Sequence, residues 1–105
     1  MEKKKGSWYG DERKEVDPYV FRLYITGASP NSSRAVANLK VFFEKFLTNR
    51  YELQIIDVYQ QPHIVQSVDI IALPLLVKKF PLPESRMIGD MSNSDKLLKY
   101  LNLGH

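Results

Sequence analysis

The sequence predicts an α/β domain of order βαβαββα, built on a mixed four-stranded sheet with helices on both faces. Three observations predict it. A period-two apolar run at Tyr19–Ile25, a helical apolar stripe and a second strand-like run at 53–58 together make a βαβ unit with parallel strands. Two further short runs, at 73–77 and 86–88, are separated by a stiff turn carrying Pro81 and Pro83. A last stripe, Leu97, Leu98 and Leu101, has helical spacing.

Each element has its own signal. In the first strand Tyr19, Phe21, Leu23 and Ile25 alternate with Val20, Arg22 and Tyr24, and a mostly apolar second face marks an inner strand. Thr26-Gly27-Ala28 breaks the run. Ser29 is placed to cap the free amides of the following helix, and Pro30 fits the first helical position, where its missing N–H costs nothing. Val36, Leu39, Phe43, Phe46 and Leu47 then recur at three- and four-residue steps along a helix ending near Asn49. Leu53 to Val58 reads as the second strand. Pro62 starts a short helix through about Ile70, with Ile64, Val65 and Val68 inward. The third strand opens at Leu73 with Pro74 at its entry, where proline is tolerated. Arg86 to Ile88 forms the fourth, ended by Gly89-Asp90, and Ser92 caps the last helix with Asp95 as a capping-box-like partner.

Composition narrows the function classes. A chain of 105 residues, 44% hydrophobic and 26% charged, fits one globular domain. There is no cysteine, which excludes a disulfide scaffold, a thiolate metal site and cysteine redox chemistry. No apolar run approaches the ~20 residues of a membrane span, and Met1 to Asp17 lacks the apolar core of a signal peptide, so the reading is cytoplasmic with no membrane partner. The net charge of +3 lies wholly outside residues 1–17, and it forms no dense basic face of the kind that binds nucleic acid. Residues 1–17 read as a loose N-terminal extension ahead of a domain at 18–105. Trp8-Tyr9 alone breaks the polar character of that extension, and such a pair either folds back on the domain or touches a partner.

The segment Phe21-Arg22-Leu23-Tyr24-Ile25-Thr26-Gly27-Ala28-Ser29-Pro30-Asn31-Ser32-Ser33-Arg34-Ala35 resembles the opening of the KaiB family, an L-Y-V-x-G strand end followed by T-P-N-S-x-R-A. Ile56-Asp57-Val58, Gln61-Pro62, the run from Ala72 to Lys78 and the run from Arg86 to Ser92 continue the resemblance in register, from about Tyr19 to Leu103. The resemblance implies a thioredoxin-like βαβαββα fold, with the βαββααβ resting fold of KaiB proteins, usually tetrameric, as the alternative; weak self-association falls within what it implies. It also implies docking on a KaiC-type ring ATPase, in competition with the sensor domain of a KaiC-associated kinase, in clock or stress-adaptation signalling. Arg34, Tyr51, Lys78 and Arg86 stand at positions resembling KaiB partner contacts, and Pro74 stands where thioredoxin-like domains carry a cis-proline. The chain departs from the clock-type pattern at Ala72-Leu73-Pro74-Leu75-Leu76 (usually A-T-P-T-L), at Ser85-Arg86 (usually a basic pair) and at Gln54 (usually basic). Tyr100 stands where clock-type relatives carry Gly, which removes a helix penalty of roughly 0.8–1 kcal/mol in part and favours a helix over residues 93–103.

Candidate chemistry is sparse. Where a thioredoxin carries its C-x-x-C pair, this chain has Ala28-Ser29-Pro30-Asn31-Ser32, which cannot exchange dithiols. Its free amides read as a plain helix cap rather than an anion site. His63 and His105 give no metal-ligand spacing. Ser32 and Ser33 lie outside any nucleophile elbow and have no evident base. Asp57 and Asp90, both at strand ends, read as capping or turn residues. The sequence therefore assigns no catalytic residue, no cofactor and no metal, and reads as a non-catalytic protein-binding module. The competing reading is a thioredoxin-fold redox or glutathione-dependent enzyme whose chemistry needs no cysteine of its own.

Overall fold

In the computed structural model, which describes residues 18–64 and 72–102, strand β1 (Tyr19–Ile25) is an inner strand. It pairs in parallel with β2 (Tyr51–Asp57) and antiparallel with β3 (Leu75–Phe80), and β3 pairs antiparallel with β4 (Ser85–Ile88). The sheet order is β2-β1-β3-β4. Helix α1 (Pro30–Phe46) connects the parallel pair, and helix α2 (Ser94–Tyr100) follows β4.

Both faces of β1 are used, which is why it is apolar on both. On one face Phe21 and Leu23, with Leu76 of β3, meet Ala35, Leu39, Phe42 and Phe43 of α1 and Leu97 and Leu101 of the α2 segment. Phe21 stacks on Phe43 with ring centroids 4.4 Å apart. On the other face Tyr24, Ile56, Val58, Leu75 and Val77 form a second buried cluster, against which Ile64 and Leu73 pack. Both helices described in full lie on the first face. Most of the short helix expected from Pro62 to Ile70 falls outside the described residues; His63 and Ile64 are helical.

Several boundaries differ from the expected ones, each for a local reason. Helix α1 stops at Phe46 rather than near Asn49, because Leu47 leaves helical geometry and Asn49 takes a left-handed φ of 61° in the turn that follows. Strand β2 starts at Tyr51, two residues before the apolar run, because parallel pairing sets Tyr51 opposite Tyr19. Strand β3 runs from Leu75 to Phe80 rather than from Leu73 to Val77. The ladder to β1 carries Lys78 and Phe80 into the sheet, although polar Lys78 and Lys79 look like turn residues in the sequence. The Leu73–Pro74 bond is cis, as are Phe80–Pro81 and Leu82–Pro83. The cap of α2 is Asn93, not Ser92: the Asn93 side chain accepts from the Lys96 amide at 3.1 Å. Asp95 therefore sits one position too early to close a capping box, and contributes a negative charge near the positive end of the helix instead.

Tyr100 fastens α2 to the sheet. Its hydroxyl donates to the Ser85 carbonyl at 2.8 Å, and lies 3.4 Å from the Leu76 carbonyl. Burial pushes the phenol above its ordinary pKa. Tyr100→Phe keeps the ring and removes the donor; it is expected to lower stability by about 1 kcal/mol, read as a reduced urea midpoint at unchanged m. An unchanged midpoint would mean that the hydroxyl contributes nothing.

Candidate functional site

The rim formed by the end of β1, the start of α1 and the turn after β4 gathers most of the polar geometry of the domain. Asp57, the last residue of β2, accepts the Gly27 amide at 3.0 Å and the Tyr59 amide at 2.9 Å, so one carboxylate ties the ends of β1 and β2 together. Gly27 has φ +56°, a left-handed backbone that favours glycine, while a Cβ there would make only an ordinary 3.4 Å contact with the Tyr59 ring. At the helix start Ser29 Oγ accepts the Ser32 amide at 3.2 Å and donates to Ser32 Oγ at 2.8 Å. Ser32, fully buried, in turn accepts the Thr26 amide at 3.1 Å. These hydroxyls are engaged in holding the strand end to the helix cap. Among the described residues no trio of His, Asp or Glu side chains gathers in metal-binding geometry.

One turn into α1, Arg34 is exposed; it donates to Asn31 Oδ1, and its Nε lies 3.5 Å from Asp90 Oδ2. Asp90 follows β4 and is held by more than Arg34. The Ser92 amide donates to its carboxylate at 3.1 Å, and Asn38 donates to its backbone carbonyl at 3.0 Å. Hydrogen bonds from Ser92, with a smaller share from the Arg34 charge, hold the Asp90 carboxyl below its usual pKa. On α1 a groove of about 470 Å³ is lined by Ile25, Ala28, Val36 and Ala37 with Lys40, and none of the staple residues Arg34, Asn38, Asp90 or Ser92 lines it. Tyr59, 75% exposed, stands over Gly27 next to it.

The four residues expected to contact a partner do not share one patch. Arg34 lies at this rim. Tyr51 lies at the opposite end of the sheet, pairing with Tyr19, and its hydroxyl donates to Glu44 at 2.8 Å; that bond raises the phenol pKa. Lys78 is only 6% exposed, on the helix-covered face opposite Ser85. Arg86 is exposed on the other face, opposite Val77. There it belongs to a charge cluster that the sequence reading missed: Lys79 pairs with Glu84 at 2.5 Å, and Arg86 and Arg22 add to the fields that hold the Glu84 carboxyl below its usual pKa. The alternation of β1, which puts Arg22 on the second face, is the signal that could have found it. Asn38, a polar residue between stripe positions of α1, is the corresponding signal for the Asp90 staple.

The family model described as KaiB domain matches residues 22–103. The chain is 40% identical over 89 residues to "Circadian clock protein KaiB3" of Synechocystis sp., covering 85% of this chain and 87% of that protein. It is 42% identical over 85 residues to "Circadian clock oscillator protein KaiB" of Thermostichus vulcanus, covering 81% and 79%. Among solved structures, the N-terminal domain of Synechococcus elongatus SasA superposes with a TM-score of 0.68 at 22% identity, covering 95% of this chain and 97% of that one. The thioredoxin Deadhead of Drosophila melanogaster superposes with a TM-score of 0.64 at 13% identity, covering 82% and 80%. These likenesses show a thioredoxin-like fold.

Asp90 offers a direct check of the rim. Because its folded pKa is lowered, its carboxylate contributes stability above the unfolded value of about 3.9 and loses that contribution as pH falls through the lower folded value. Carboxyl titration by NMR is expected to place Asp90 below about 3.9, with Ser92→Ala raising the midpoint more than Arg34→Ala. A midpoint at or above the unfolded value would mean that the staple does not hold in solution.

Proposed function

The chain belongs to the KaiB family, and on that premise we propose that it is a non-catalytic module that docks on and regulates a KaiC-type ring ATPase, in clock or stress-adaptation signalling in the cytoplasm. The observation that carries this reading is the composition of the α1 rim. It presents an exposed Arg34 and a groove floored by small apolar side chains, while the hydroxyls at the helix start are committed to internal hydrogen bonds. An exposed arginine on a helix that also carries an apolar groove suits a protein contact, since Arg combines charge with a flat, stackable surface. Arg34 is not idle before docking: a partner carboxylate would take it over from Asp90, so binding exchanges one ion pair for another. Among the described residues no helix is long and apolar enough to cross a membrane.

A thioredoxin-fold enzyme is the weaker reading, because the helix start has no thiol and no second group there supplies a nucleophile with a base. The preparation is expected to show no insulin-reducing turnover above buffer once host thioredoxin is removed.

Binding to a purified KaiC-type ATPase is expected to depend on its nucleotide state. Arg34→Ala and Arg86→Ala are each expected to weaken it by about 1 kcal/mol or more, roughly fivefold in Kd. If both variants bind as the parent does, these surfaces are not the ones that dock.

A further inference from the structure

A second groove, of about 270 Å³, lies between α1 and α2 and meets the Asp90 staple at one end through Asn38 and Ser92. Its floor is Phe42, Phe46, Met91 and Leu97, and its edge carries Lys45 and Val41, the latter 71% exposed. The volume lies near the small end of the range for clefts, roughly 300–1,000 Å³, and is enough to take large aromatic side chains. We propose that this groove seats the aromatic pair Trp8-Tyr9 of the chain's own N-terminal segment.

Reach, charge and connectivity favour that occupant. The Tyr19 amide donates to the Arg50 carbonyl at 2.8 Å, and the Arg50 guanidinium lies 5.9 Å from the Tyr19 ring. The segment therefore joins the domain beside the loop that leaves α1, a few residues past Phe46. Tyr9 lies ten residue steps before Tyr19, a reach of up to about 33 Å. The groove extends from Phe46 back to Asn38, only about 12 Å along the helix. The connecting stretch, residues 10–17, carries four carboxylates (Asp11, Glu12, Glu15, Asp17) against Arg13 and Lys14. The α1 edge of the groove carries Lys45. Tethering places the pair at an effective concentration in the millimolar range, so two buried aromatic side chains suffice without a large interface. The segment lies outside residues 22–103, the part matched to the family, and the proposal stands or falls independently of the docking function.

Trp8 is the sole tryptophan, so its emission reports on this seat alone. In the full chain it is expected to emit at shorter wavelength, and to be quenched by acrylamide several-fold more slowly, than in the chain unfolded in guanidinium chloride. Val41→Glu, at an exposed position, is expected to restore quenching to the unfolded rate while the far-UV circular dichroism stays that of the folded domain. Lys45→Glu, which reverses the rim charge, is expected to loosen the seat in the same direction and serves if Val41→Glu does not fold. Three results overturn the proposal: quenching in the folded parent as fast as in the unfolded chain, protection unmoved by either variant, and protection lost on dilution, which would make the occupant a second copy.

Discussion

The stacking of Phe21 on Phe43 joins the central strand to its longest helix, and most of the molecule is arranged around keeping that contact dry. Both rings are fully buried. Tyr19 continues the stack below Phe21, Tyr51 leans on Phe43 at 4.9 Å, and Phe42 and Phe46 extend the aromatic surface along α1. With Phe43 fixed over β1, the first turn of α1 falls above the strand end, where Ser32 Oγ accepts the Thr26 amide and Ser29 Oγ accepts the Ser32 amide. The rim is thus a consequence of core packing: the aromatic cluster sets the position of the helix, and the helix positions Arg34 beside Asp90. In a domain whose whole stability is of the order of 5–15 kcal/mol, a buried Phe is worth about 3–5 on truncation, so the site and the core cannot be separated energetically.

The same scaffold hosts dithiol chemistry in thioredoxins, and the difference here is local. Fold does not carry function; side chains at the helix start do. Three hydroxyl groups occupy that place in a closed hydrogen-bond set, which ties the strand end to the helix start; around it stand a guanidinium, an apolar groove along α1 and an exposed tyrosine. Rigid positioning of such groups lowers the ordering cost of association, because less freedom remains to be lost on binding.

Much of the fold was legible because its signals are local. The alternation in Tyr19–Ile25 reports an inner strand directly, and Ser29-Pro30 reports a helix start whose cap appears in the structure as expected. Asp57 and Asp90 do act at turns. What stayed hidden depends on partners distant in sequence. Lys78 and Lys79 look like loop residues until pairing with β1 draws them into a strand. Asn93 outcompetes Ser92 as a cap because Ser92 is already engaged by Asp90, a bond that no spacing rule displays. The partner-contact positions carried over from the family are legible as residues but not as a surface, since only the register of the strands shows that Lys78 and Arg86 face opposite sides of the sheet.

The order of the strands also bears on how the chain is made. β1 is synthesised first, yet its neighbours come later: Tyr19 pairs with Tyr51, and Tyr24 with Leu75. The cluster around Phe21 and Phe43 is completed only by Leu97 and Leu101. A nascent chain emerging N-terminus first, at about 5–20 residues per second, therefore holds its aromatic face uncovered until α2 has left the ribosome. During those seconds Phe21, Phe42 and Phe43 are surfaces for chaperones or for other nascent chains. The late arrival of one short helix thus makes the yield of soluble protein, as well as its equilibrium stability, sensitive to changes near Leu97 and Tyr100.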